Sequence, residues 1–479
     1  MKQLVFIVAM MVFLVCCLSP AVLAEDLPQV TCEAYVIMDA DTGQIIMEKN
    51  PDEILFPASI TKIMTLALTM EKAQGDWSTQ LTVSKEVTTS MELGSSHVAL
   101  QPGEVVKLED VIYATELESA NDGANALAEY ISDDGTIAGG VEKMNEKAAQ
   151  LGLSNTHYMN PHGLQDEQHY TTARDMANLT RWAISIPGFL DVFCRTEAWQ
   201  MEATNIQPAR VFHCTDWLRV GGPLLYRSYV KGSKTGYHDQ ALHTLVTYSQ
   251  QNDLNLISVV MKSSGSNAHF KDTGLLLDYA FAHYSRVEIP AEQTVHNVPL
   301  VGGGYEVLGE LQVQSAGGSV LLNDAFSPQD ITIQYKIPDQ YVLGQSFDAA
   351  IEFYLPENDV QPPLLASVSL PVTGLADLLS QHTYVPQKTI DFSLKYLGIA
   401  MAAIGVVMVA AFVFGKLRNK GGVQKVAAKQ ARNTGVAPDL EIIVRNRPQG
   451  INVPTKNIYV NPRRPYDHRT NHRTHRPNR

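Results

Sequence analysis

Cysteine is scarce in this chain, with five residues among 479. Cys16 and Cys17 fall in an apolar N-terminal stretch, which leaves Cys32, Cys194 and Cys214 for the rest. Their wide separations match no metal-ligand spacing, so a metal site is not expected. Three thiols cannot all pair, so at most one disulfide is open to them and no disulfide framework holds the fold. Internal repeats are absent, which excludes a solenoid or propeller. No cofactor is implied and no nucleic-acid partner is expected. Long apolar runs are also few: there are two, one near each end.

The first runs from Leu4 to Leu18, between Met1-Lys2 and Ser19-Pro20, with Val22-Leu23-Ala24 after it. A charged head, an apolar centre and a small-residue cleavage site predict a secretory signal peptide over residues 1–24. The second, Tyr396 to Gly415, is 20 residues without charge, bounded by Lys395 and Lys416. That length predicts a transmembrane helix over 396–415. The tail from Lys416 to Arg479 carries 15 Lys and Arg against 3 Asp and Glu. Its +12 and the whole-chain −13 leave −25 on everything before Lys416. A basic tail stays inside and an acidic body is exported, so a single-pass cell-membrane protein with an extracytoplasmic body is expected. The tail, rich in Arg, Asn, Pro and His, is expected to be disordered, with inner-leaflet contact open to it.

Between the ends, Ala34–Asp39 and Gln44–Glu48 flank a Gly-containing loop and predict a β-hairpin. Helical patterns follow from Ile63, over Leu108–Glu118, Ala124–Ile131 and Gly140–Leu151, and from Thr171. Three strands are expected around Tyr229–Gly236, His243–Tyr248 and Leu254–Met261, and an amphipathic helix over Phe270–Tyr284. This mixture predicts an α+β catalytic domain over 25–285. From Val287 to Thr373 short apolar runs alternate with Gly, Pro and Asp breaks, which predicts a small β-rich domain over 286–375. Residues 376–395 form the juxtamembrane segment.

Three short motifs carry the chemistry. Pro57-Ala58-Ser59-Ile60-Thr61-Lys62 holds Ser-x-x-Lys at the mouth of a helix. Residues three apart share a helical face, so the Ser59 hydroxyl and Lys62 amine are neighbours. A serine beside an amine is one way to build an activated nucleophile; alone, the pair reads more simply as a helix cap and a surface charge. Ser119-Ala120-Asn121 sits on a tight connection between two helices. Lys234-Thr235-Gly236 lies on a strand. Each is weak alone, but their order, contexts and an exported chain bind them into one constellation, which resembles that of β-lactamases and penicillin-binding proteins.

On these motifs, with Asn160-Pro161-His162-Gly163-Leu164 and Thr172-Ala173-Arg174-Asp175-Met176, the chain over roughly 30–285 resembles the low-molecular-mass penicillin-binding proteins. More narrowly, it resembles their serine-type D-alanyl-D-alanine carboxypeptidases. The resemblance implies a β-lactamase/transpeptidase-like catalytic domain, with an antiparallel sheet and a helical subdomain. It implies Ser59 as nucleophile, Lys62 as base, Ser119 as relay to the leaving amine, and Asn121 as holder of Lys62 and the substrate amide. Lys234 and Thr235 would take the terminal carboxylate. Gly236 would allow close approach to substrate, and the Ser59 and Tyr237 N–H groups would form an oxyanion hole. Stem peptides ending in D-Ala-D-Ala are the implied substrate and β-lactams the implied inhibitors.

His169 reads more readily as structural than as a site residue, and His238 and His243 as rim residues. Arg174 and Asp175 read as structural. Leu242, where the family tends to carry a small residue, puts the rim's shape in question. Two other functions stay open at this point. A β-lactamase would need a deacylating carboxylate, but no Glu-x-x-x-Asn loop occurs in 150–175, and Asp166 and Glu167 lack that pattern. A penicillin-recognising sensor would signal through the span to the tail.

Overall fold

The computed structural model describes residues 27–92, 94–302, 306–358, 360–376 and 378. The expected signal peptide, transmembrane helix and tail, and nearly all of the juxtamembrane segment, lie outside the described residues. Among the described residues no helix is long and apolar enough to cross a membrane.

A five-stranded antiparallel sheet organises the catalytic region. Its strands are β1 (Ala34–Asp39), β2 (Ile45–Lys49), β3 (Val230–His238), β4 (Leu242–Gln251) and β5 (Leu254–Ser263). The spatial order is β2-β1-β5-β4-β3, which puts the Lys-Thr-Gly strand β3 on an edge. β1 shows why the sheet is buried on both faces. Side chains alternate along a strand: Ala34, Val36 and Met38 enter one apolar cluster, Tyr35 and Ile37 another. The first cluster lies under α1 (Lys62–Ala73), α2 (Leu108–Leu117), α3 (Asn121–Ile131), α4 (Ile137–Gln150) and α5 (Ala173–Ile184). The second is covered by α6 (Ala268–His283), through Phe270, Leu276, Leu277, Ala280 and Phe281. Each fully buried aliphatic or phenyl side chain contributes about 1.5–3 kcal/mol.

The helix boundaries have local causes. Thr136 Oγ1 accepts the Gly139 N–H and Thr172 Oγ1 the Asp175 N–H, so α4 and α5 start at side-chain caps. α4 begins three residues before the expected Gly140 because Thr136 sets its entrance. α3 begins at Asn121 rather than Ala124. Its first-turn Asp122 accepts N–H bonds from Val98, Leu100 and Gly123, and so fastens a loop onto the helix mouth.

From Tyr284 to Thr373 the chain forms strands and one short 3₁₀ turn among the described residues. Polar side chains join this region to the sheet. Gln44 Nε2 donates to the Leu321 carbonyl at 2.7 Å while Gln44 Oε1 accepts the Leu321 N–H at 2.6 Å. Arg286 grips buried Asp39 with both terminal nitrogens, at 3.0 and 3.1 Å, and reaches Asp41 at 3.0 Å. Tyr284 Oη donates to the Ile46 carbonyl at 2.9 Å. Gln44→Ala is expected to leave the buried Leu321 N–H without a partner and to destabilise the protein by about 2 kcal/mol in urea unfolding.

Candidate active site

The Ser-x-x-Lys pair does not sit as an ordinary capped helix start. Ala58–Thr61 forms a 3₁₀ turn that feeds into α1, and neither Ser59 nor Thr61 caps through its side chain. Ala58 holds φ +50°, in the left-handed region that a residue with a Cβ enters only at a cost. Gly163 lies against this turn with φ +87°, where a Cβ would come 1.8 Å from the Ala58 carbonyl oxygen. No larger residue fits there. Ser119, at φ +54°, is held in the same unusual region between α2 and α3.

Three oxygens surround the Lys62 amine. Ser59 Oγ lies at 2.9 Å, Asn121 Oδ1 at 2.7 Å and the His162 carbonyl at 2.9 Å. Lys62 has no solvent-accessible surface. Burial holds its pKa well below the usual lysine value, and the positive charge of Lys234 lowers it further against the opposing pull of Asp122. A neutral amine has two N–H bonds and one lone pair. The two carbonyl oxygens can only accept, so they take both N–H bonds. The lone pair is left facing the Ser59 hydroxyl, which then donates to it.

Lys234 Nζ donates to Ser119 Oγ at 2.9 Å and to the Thr235 carbonyl at 3.3 Å. Burial lowers its pKa, opposed first by Glu116 and then by Cys214 and Asp216. Thr235 is half-buried beside it, and Tyr237 is exposed on the rim, its ring against His243. Gly236 is also required by packing. A Cβ there would meet Thr244 Oγ1 at 2.4 Å and the Ser59 backbone nitrogen at 2.8 Å. The glycine lets the edge strand pack onto the nucleophile's own turn, which brings the Ser59 N–H beside β3.

The remaining expected residues separate clearly. His169 is structural: its Nδ1 accepts the Met159 N–H at 3.1 Å, so its proton sits on Nε2, which donates to Thr61 Oγ1 at 2.9 Å. Arg174 pairs with Glu48 and Asp52. Asp175 accepts from Asn155 N–H and Thr156 Oγ1. His238 accepts the Ala241 N–H within its own turn. Leu242 adopts φ +52° where that turn enters β4. Asp166 accepts the Gln168 N–H and Glu167 is exposed, and neither bonds to the Ser59–Lys62 pair.

Sequence reasoning missed the charged groups behind β3. Asp216 is buried and accepts from Ser233 Oγ. Arg219, also buried, reaches Ser233 Oγ at 3.5 Å and the Arg195 carbonyl at 2.7 Å. Glu116 is buried on α2, one helical turn after Ile112. An acidic residue four positions along an apolar stripe was the available signal.

A serine hydroxyl facing a neutral buried amine, with a hydroxyl–ammonium pair across the cleft, defines a serine acyl-transferring enzyme of the penicillin-recognising class. Residues 21–265 match the family model described as D-alanyl-D-alanine carboxypeptidase, and the chain belongs to that family. It is 32% identical over 313 residues to D-alanyl-D-alanine carboxypeptidase DacF of Bacillus subtilis, covering 64% of this chain and 76% of the relative. It is 32% identical over 272 residues to DacC of Escherichia coli K12, covering 55% of this chain and 64% of the relative. The fold resembles the crystal structure of penicillin-binding protein 5 from Haemophilus influenzae, with TM-score 0.58 and 24% identity. That match covers 73% of this chain and 99% of that one. The family is one of α+β serine peptidases.

Proposed function

We propose that the protein is a serine-type D-Ala-D-Ala carboxypeptidase that removes the terminal D-alanine of peptidoglycan stem peptides and is acylated by β-lactams. The observation that carries this reading is the Lys62 amine, whose two N–H bonds are taken by Asn121 Oδ1 and the His162 carbonyl. Its lone pair can then remove the Ser59 proton as Oγ attacks the carbonyl between the two D-alanines. Lys234, with Thr235, binds the free carboxylate by charge and hydrogen bond. Ser119, bonded to Lys234, passes a proton to the departing D-alanine amine. Asn121 also holds the substrate amide. The Ser59 and Tyr237 N–H groups stabilise the oxyanion. Water then attacks the ester at Ser59, releases the shortened peptide and returns the proton.

The test is direct. Purified protein should release D-alanine from a pentapeptide ending in D-Ala-D-Ala and take up labelled penicillin with one adduct per chain. Neither release nor uptake would end this reading.

We also propose that residues 286–375 form a small β-rich domain, 1–24 a signal peptide and 396–415 a transmembrane helix. The body then lies outside the cell membrane and the basic tail from 416 inside it. Charge asymmetry supports this topology, and protease protection of the tail in sealed spheroplasts checks it.

A further inference from the structure

Glu116, Asp122 and Asp216 are buried carboxylates near the site that the mechanism above does not use. Asp122, in the first turn of α3, is saturated by backbone N–H groups, and Asp216 is satisfied by Ser233 Oγ and the Leu218 N–H. Glu116 is not: its Oε2 is buried without a hydrogen-bond partner among the described residues. A buried carboxylate left in this state is costly unless nearby positive charge offsets it.

The surrounding groups come from every element behind β3. Lys234 is on β3 itself, and Asp216 and Arg219 are at the short helix Trp217–Val220. The thiols of Cys194 and Cys214 complete the set. Arg219 Nε is likewise buried without a partner. Glu116 therefore acts through its field rather than through contacts. Ser119, three residues further along the chain, carries the hydroxyl that Lys234 holds at 2.9 Å.

Resting on the carboxypeptidase reading, we propose that Glu116 is a positioning residue that keeps Lys234 in its ammonium form. Binding of the substrate carboxylate then depends on a side chain that touches neither substrate nor nucleophile. Two consequences follow from one charge. Lys234 must stay protonated to attract the carboxylate, and its charge adds to burial in lowering the Lys62 pKa. Burial works against that proton, and Glu116 is the foremost group opposing it. Burial likewise pushes the Glu116 carboxyl up to about 7, with Lys234 and Arg219 pulling it down and Asp216 adding to the rise. The carboxylate and the ammonium are thus linked across the working pH range.

The experiment compares full-length wild type, E116Q and E116D on a peptide with a free terminal carboxylate between pH 6 and pH 10. Loss of the charge lets Lys234 deprotonate earlier. In E116Q the basic limb of kcat/KM should move acidward by about one pH unit, and KM at pH 9 should rise about tenfold. At pH 6.5 KM should stay within about threefold of wild type, because the Glu116 carboxyl, pushed up to about 7, has little charge to lose there. E116D should restore the basic limb. A folded E116Q whose limb overlays wild type overturns the proposal, as does an E116D that behaves like E116Q.

A second measurement needs no Gln variant. In wild type with 13Cε-labelled lysine, the Lys234 resonance (assigned with K234R) should show a step near pH 7 as Glu116 ionises. Its absence overturns the proposal. A wild type that neither releases D-alanine nor takes up penicillin defeats the parent reading instead, and the lysine titration still decides the Glu116–Lys234 coupling.

Discussion

Ser59→Ala is expected to abolish the penicillin adduct and to lower D-alanine release by a factor on the order of 10⁴ or more. Oγ is the only atom removed, and it is the atom the Lys62 lone pair faces. A water in its place could form no acyl-enzyme, so neither the adduct nor the two-step release survives. Stability should change little. Ser59 is only partly buried and caps no helix, and Lys62 keeps its bonds to Asn121 and His162. Mass spectrometry of intact protein after penicillin exposure, with a thermal melt alongside, checks both halves. An adduct on the variant would move the nucleophile elsewhere.

Lys62→Met removes the base and should cost a factor on the order of 10³ in acylation rate. It also has a distinctive signature in stability. The folded pKa of Lys62 is depressed below its unfolded value by burial. Between those two values the unfolded chain binds a proton that the folded chain does not. Stability then rises with pH, by up to about 1.4 kcal/mol per pH unit, until the unfolded lysine itself loses its proton near pH 10.4. Below the folded pKa the cost is full and constant. Methionine carries no such proton. The difference in unfolding free energy, wild type minus K62M, should therefore climb from pH 7 to pH 10. A flat difference would show that Lys62 keeps its charge in the fold.

Much of the site could be read from the residues, because its motifs are local. Ser59 and Lys62 are three apart, Ser119 and Asn121 two apart, and Lys234 to Gly236 contiguous. Strand β1 was legible as a short apolar run, whose alternate residues enter opposite clusters, whereas α3 and α4 begin a turn before their apolar patterns because polar residues at their entrances set their starts. What could not be read depends on approach from a distance. The His162 carbonyl reaches Lys62 from 100 residues away, and a backbone acceptor leaves no mark in a sequence. The packing reason for Gly236 lies in the Ser59 turn opposite it, and it selects the same residue as the substrate-facing one. Glu116 was hidden inside an apolar helical pattern whose other members gave the helix away.

The polar seam between the sheet and the strands after Tyr284 has a mechanical consequence. Gln44, Arg286 and Tyr284 fasten three separate points of the β1–β2 hairpin, and Gln361 secures the Leu321 segment from its other side. Joints at several points resist hinging in any direction. The β1–β2 hairpin and the strands it is tied to therefore move as one piece, and a pull on those strands is felt in the sheet that carries Lys234.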